Sequence, residues 1–272
     1  MRRKLFVQSS VPVVFTPSVS SFDQSTIDWV NAVIADGGAV SDTQKTNVNT
    51  LIVALKAHGL FTILDRLWLY GGESDAHQAK IDIINLGTHS VSGGVTLSAG
   101  GYTSNGTTGF LNTNFNPTTA GGNFTQNSAS IGVYAQESQA SGALRIPIGA
   151  FDGSVFVEYA ASSGDGSIFI NNASILNKVS DVVAAFWVGS RTTSTLITGY
   201  KNGASWGTDV NATIGLLNSD IFVLARNNSG ADSFTISKYA ASFIGGALTG
   251  AQAADFSTDL NGYMTSWGIN VY

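Results

Sequence analysis

Three histidines, His58, His77 and His89, are the only imidazoles in the 272 residues. None has a second ligand at metal-binding spacing, no His-Glu-x-x-His run accompanies them, and the chain has no cysteine, which also rules out a disulfide framework. No metal, cofactor or phosphate loop is expected from these patterns. His58 falls in the last turn of a predicted helix, where a partly charged ring suits the negative end of the helix dipole.

Carboxylates are the next candidates. Glycoside hydrolysis needs two of them about 5–10 Å apart, and an Asp/Glu-x-Asp/Glu pattern on one strand would place both on one sheet face. No predicted strand carries that pattern: Glu158 stands alone in Val155-Phe156-Val157-Glu158-Tyr159, and Asp82 stands alone in its own segment. No nucleophile constellation appears either, so the chain reads as non-enzymatic. Asp152, Asp165, Asp209 and Asp232 lie in Gly- and Ser-rich loops, where loop oxygens hold calcium in some sandwiches. Their spacing matches no dedicated calcium loop, and Asx-turns account for them. Of the five tryptophans, Trp29, Trp68, Trp187 and Trp267 are embedded in apolar stripes or strands. Trp206, in Ala204-Ser205-Trp206-Gly207-Thr208, follows a turn; it is read either as core or as a rim aromatic that contacts a glycan or a partner subunit.

The elements that must position these residues are mainly β. Residues 182–226 alternate Val-, Ile-, Thr- and Phe-rich runs with turns, and Tyr200-Lys201-Asn202-Gly203 contains the Asn-Gly pair of a type I′ hairpin. Further strands are expected near Ile131–Gln136, Leu144–Ile148, Val155–Tyr159, Ser167–Ile170, Val182–Val188, Thr195–Tyr200, Ile221–Ala225 and Phe234–Ala240. That number suits two packed sheets. Two helices precede them. Ser25 with Asp28 reads as a capping box with Gly37-Gly38 as the stop; Ser41 with Gln44 starts a second helix that Gly59 ends. Thr62 and Asp65 suggest a third, single-turn helix. Thr249 and Gln252 start a final helix with Phe256, Leu260, Tyr263, Met264 and Trp267 on one stripe.

The domain organisation that follows is an extended arm over 1–20, a helical hairpin over 21–70 and a sandwich with its C-terminal helix over 71–272. The arm is rich in apolar residues but is interrupted by Pro12 and Pro17, so it must find cover, either as a strand of its own sandwich or on a neighbouring subunit. The basic run Arg2-Arg3-Lys4 opens no sustained apolar region, so no signal peptide is expected, and no run approaches the roughly 20 apolar residues of a membrane span. Charged residues make up 11% of the chain and the net charge is −5, which argues against a phosphate-neutralising nucleic-acid groove.

The hairpin Tyr200-Lys201-Asn202-Gly203 after Phe186-Trp187-Val188-Gly189-Ser190-Arg191 resembles the central turn of concanavalin A-like, or laminin-G-like, jelly rolls. Leu64-Asp65-Arg66-Leu67-Trp68-Leu69-Tyr70, Gln78-Ala79-Lys80-Ile81-Asp82, Gly101-Tyr102 with Gly106, and Phe110-Leu111-Asn112-Thr113-Asn114-Phe115-Asn116-Pro117 together resemble a module of tailed-bacteriophage virion proteins. Phe110 and Asn112 stand where that module more usually has Tyr and Asp. Phe243-Ile244-Gly245-Gly246-Ala247-Leu248-Thr249 resembles the entry of such sandwiches into a last helix. The resemblance implies a non-enzymatic structural or appendage component of a virion, in tail, fibre, spike or capsid decoration, with copies of itself and other virion proteins as partners. The alternative is a carbohydrate-binding module that attaches to host-surface glycans. Neither a membrane nor a nucleic acid is an expected partner.

Overall fold

A computed structural model describes residues 22–138, 142–162, 164–172, 176–178 and 181–272. The arm expected over 1–20 lies outside them. In chain order the elements are α1 (Gln24–Ala35), α2 (Asp42–Ala57), β1 (Leu64–Leu69), α3 (Ala76–Lys80), β2 (Ser90–Ser92), β3 (Val95–Ser98), β4 (Gly101–Ser104), β5 (Phe110–Asn112) and α4 (Pro117–Ala120). There follow β6 (Ala129–Ala135), β7 (Arg145–Phe151), β8 (Phe156–Ser162), β9 (Asp165–Asn172), β10 (Leu176–Lys178), β11 (Ala185–Arg191), β12 (Leu196–Lys201) and β13 (Ala204–Val210). The last elements are β14 (Phe222–Val223), β15 (Arg226–Asn227), β16 (Ala231–Asp232), β17 (Lys238–Gly245) and α5 (Gly250–Ser266).

These strands form two sheets. The eight-stranded one runs β13-β12-β11-β6-β17-β4-β3, and β1 also pairs with β17. The nine-stranded one runs β10-β9-β8-β7-β14-β5-β2, with β15 joining β7 and β16. Alternation along each strand sends one set of side chains between the sheets. Trp68, Ile131, Val133, Trp187 and Ile197 from the first sheet meet Ile148, Val157, Tyr159, Ile168 and Ile170 from the second. The opposite set on the first sheet, among them Leu67, Leu69, Tyr134, Phe186, Val188 and Phe243, packs under α1, α2 and α5. The molecule therefore has three layers, helices, sheet and sheet. The outer face of the nine-stranded sheet has no helical cover among the described residues.

The hairpin signal is realised as read. Asn202 has φ 49° and Gly203 φ 77°, as a type I′ turn demands. Asn202 holds the tip in place by accepting from the Phe186 N–H (2.8 Å) and donating to the Val271 carbonyl (3.2 Å). A Cβ on Gly203 would lie 2.9 Å from the Cα of Ala254 in α5. Gly203→Ala is thus expected to lower stability by about 1–2 kcal/mol for the left-handed backbone alone, with a further loss from the clash; thermal unfolding of the variant checks this.

Helix starts are partly revised. Ser41 and the Thr249–Gln252 capping box act as read. The first helix is instead capped by Asp23, whose carboxylate accepts from the Ser25 N–H at 2.8 Å and also pairs with Lys56 at 2.6 Å. Ser25 and Asp28 are inside the helix. No third helix forms at Thr62–Asp65: residues 61–63 make a turn and β1 begins at Leu64. The Asp65 side chain explains the change, since it is needed to accept from the N–H groups of Asn123 (2.7 Å) and Phe124 (2.8 Å) and so ties the start of β1 to the approach to β6.

Candidate functional site

Directly opposed residues on neighbouring strands share a sheet face. The register pairs Phe169 with Glu158, Glu158 with Gly149, Gly149 with Phe222, Phe222 with Asn112, and Asn112 with Ser90. Because the intervening Val157, Ile148, Val223 and Leu111 point into the inter-sheet core, this row lies on the outer face, where Gly149, Glu158 and Phe222 are nonetheless buried. Phe151 and Phe156 belong to the same face two residues along. They stack at 4.0 Å with 14° between planes, and Phe169 leans on Phe156 at 5.2 Å. All three are half-buried. On the other side of Gly149, Phe110 stacks on Phe222 at 4.5 Å. The two clusters make an apolar ridge of ring edges with Gly149 as a gap in it. A Cβ there would sit 2.3 Å from the Glu158 Cβ, so no side chain fits.

A charged group sits in that gap. Arg226 forms a two-pronged contact with Asp232, Nε and Nη2 each 2.9 Å from a carboxylate oxygen, and its Nη1 lies 3.7 Å from Glu158 Oε2. Glu158 is 3% exposed and its Oε2 has no hydrogen-bond partner. Burial pushes the Glu158 carboxyl up to about 7, against the opposing pull of Arg226. Sequence reasoning saw Glu158 only as an isolated acid. Its one sequence signal is an acid on a strand otherwise made of apolar residues; its partners come from β15, which pairs with β7, and from β16, which pairs with β15.

Trp206 is not a rim aromatic. It is 4% exposed, packs edge-on against Trp187 at 5.4 Å, and its indole N–H donates to Asp181 at 2.8 Å. The core reading is the one the structure shows, because β13 brings the side chain inward over Gly166 and Gly199, where no Cβ would fit beside it. Asp152 forms the Asx-turn expected, accepting from Ser154 and Val155, and also accepts from the Asn218 N–H. Asp209 accepts from the Val210 N–H and the Asn211 amide. Asp165 opens β9, and Asp232 lies in β16, where Arg226 holds it.

The histidines take three different positions. His58 lies at the end of α2, where its Nδ1 meets Asp259 of α5 at 2.8 Å, and that carboxylate raises its affinity for a proton. His77 Nδ1 meets Asp36 at 2.7 Å. His89 is 1% exposed and stands edge-on to Tyr70 and Tyr102.

No protein-family model matches the chain, and no curated protein is significantly similar to it. Solved structures do share its architecture. Domain 4 of AbnA, an extracellular GH43 arabinanase from Geobacillus stearothermophilus, solved in complex with arabinotriose, is 13% identical with a TM-score of 0.50 over 72% of this chain and 98% of that domain. The binding domain of botulinum neurotoxin serotype D is 10% identical with a TM-score of 0.54 over 73% of this chain, which spans 52% of that domain. A mutant of Trypanosoma rangeli sialidase displaying trans-sialidase activity is 10% identical with a TM-score of 0.56; the match covers 80% of this chain and 39% of the sialidase. At such identities the likeness is one of fold. The chain is a mainly β protein of two large antiparallel sheets packed as a sandwich, with few helices.

Proposed function

We propose that this chain is a non-enzymatic glycan-binding sandwich carried by a tailed-phage virion as a structural or appendage component. The observation that supports it most directly is the asymmetry of the layers. Helices cover one sheet, while the other presents half-buried phenylalanines around a Glu158–Arg226–Asp232 group, and partly exposed rings gathered in this way mark a contact surface. Polar groups fixed among apolar rings are what orient a sugar whose hydroxyls need partners and whose C–H groups need apolar cover. The arabinanase domain, of the same fold and seen with arabinotriose, supports a glycan as the ligand class. The virion setting is supported by the resemblance of residues 64–117 to phage proteins. Glu158 is nearly closed to solvent and Asp232 is held by two bonds from Arg226, so neither carboxylate is placed to exchange a proton with a substrate.

Two experiments test the reading. Antibody labelling of purified particles is expected to locate the protein on them, and its absence from particles removes the virion assignment. The purified chain is expected to retain host-surface polysaccharide on an affinity gel, with Phe156→Ala/Phe169→Ala weakening retention at least tenfold. Release of reducing sugar from that polysaccharide would overturn the non-enzymatic assignment.

A further inference from the structure

The row of outward residues from Phe169 to Ser90 crosses six strands, β9-β8-β7-β14-β5-β2, about 24 Å at the usual strand spacing. At its end, Ser90 also lines a separate pocket of about 330 Å³, a size within the usual range of small-molecule sites. The walls come from distant parts of the chain: Asp36 at the end of α1, His77 and Lys80 of α3, Thr88 before β2, and Asn114 after β5. Asn114 is held there in a left-handed conformation, φ 54°, with its amide donating to the Thr88 carbonyl at 2.9 Å. Gly38 lets the end of α1 close on α3, since a Cβ there would lie 2.5 Å from the Cβ of His77. Lys80, Tyr102 and Asn114, three residues of the phage-like runs, line this pocket.

Its chemistry is a set of paired donors and acceptors. Asp36 takes one bond on each oxygen, from His77 Nδ1 at 2.7 Å and from Lys80 Nζ at 2.8 Å. Each oxygen keeps accepting capacity and the ammonium keeps two donors. The bonds from Lys80 and His77 hold the Asp36 carboxyl below its ordinary range, so one fixed negative charge faces one fixed positive charge. Beneath them lies His89, 1% exposed, whose Nε2 meets the Ala79 carbonyl at 3.1 Å. Burial lowers its pKa to about 4. The ring is therefore neutral, with its Nε2 proton directed at the Ala79 carbonyl.

We infer that this pocket is a subsite for one neutral sugar residue, with Asp36 and Lys80 binding a pair of adjacent hydroxyls and the open sheet face carrying the rest of the glycan. The inference rests on the glycan-binding reading and adds to it a place and a sugar class. A hydroxyl both donates and accepts, so two neighbouring hydroxyls match a carboxylate and an ammonium that are themselves 2.8 Å apart. The balanced charge gives no net attraction for a sugar acid, whose carboxylate would meet Asp36.

The test is titration of the full chain with the methyl glycosides of glucose, galactose and mannose, with glucuronic acid as the charged control, read from the imidazole NMR signals of His77 and His89. Saturable shifts with at least one neutral glycoside are expected, weakened tenfold or more by Asp36→Asn and by Lys80→Gln. Three results overturn the inference: no shift with any neutral glycoside, a shift with glucuronic acid alone, or full affinity in both pocket variants. If polysaccharide retention persists in Asp36→Asn but falls in Phe156→Ala/Phe169→Ala, the pocket assignment fails while the wider reading stands. Absence of retention in the unaltered chain fails the wider reading as well.

Discussion

Leu260→Ala is expected to lower the unfolding free energy by about 2–5 kcal/mol, the usual loss when a large side chain is cut back in a site that cannot collapse around the gap. Leu260 is fully buried on α5, among Val48, Leu51 and Leu55 of α2 and Phe186 and Phe243 of the eight-stranded sheet. Phe256, one turn earlier, meets Phe186 and Phe243 edge-on at 5.2 and 4.9 Å, which fixes the helix against the sheet and limits its ability to settle into a cavity. Chemical denaturation measures the loss. An unchanged midpoint would mean that α5 does not contribute to the fold in solution.

Glu158→Gln is expected to stabilise the protein at alkaline pH and to make little difference below pH 4. The carboxyl has a folded-state pKa of about 7, above its ordinary value of 4.5. A raised carboxyl favours the folded state while it is protonated, and that contribution is lost as pH rises from 4.5 through 7. Above pH 7 the native state must carry a buried charge that the unfolded chain solvates freely, a cost of up to about 3 kcal/mol. Glutamine keeps the shape without the charge, and Arg226 retains Asp232 as its partner. Melting temperatures of both proteins from pH 4 to pH 9 should diverge between pH 4.5 and 7. Parallel curves would show that Arg226 fully compensates the charge.

Local signals were legible where one residue type serves one backbone need. Asn202-Gly203 specified a turn with two positive φ angles, and Thr249 with Gln252 specified a helix start. They failed where a distant partner decides. Asp65 looks like the start of a helix until Asn123 and Phe124 claim its oxygens. β13 follows from the hairpin turn alone, since four of its seven residues are exposed on a sheet edge and leave little apolar alternation to set its bounds. The candidate sites were the least legible. Trp206 was picked for its turn-flanking position, yet the fold brings it inside, while Glu158 and Asp36 gain significance only from Arg226, Lys80 and His77. A sequence of 11% charged residues gives few such groups, and no spacing rule links them.

The edge of β17 has a bearing on how the chain reaches this fold. One half of that edge pairs with β4, Tyr239 opposite Tyr102, and the other half with β1, Phe243 opposite Leu67. Its opposite edge pairs with β6. The strand that joins these three is formed by residues 238–245, and α5, which covers α2, comes later still. During synthesis the apolar surface of β1 and of the helical hairpin must therefore wait for partners made more than 150 residues later. Folding dominated by such long-range closure is slow, and its intermediates aggregate readily. Refolding yield should accordingly fall steeply with protein concentration, and chains truncated before residue 238 should accumulate in the insoluble fraction.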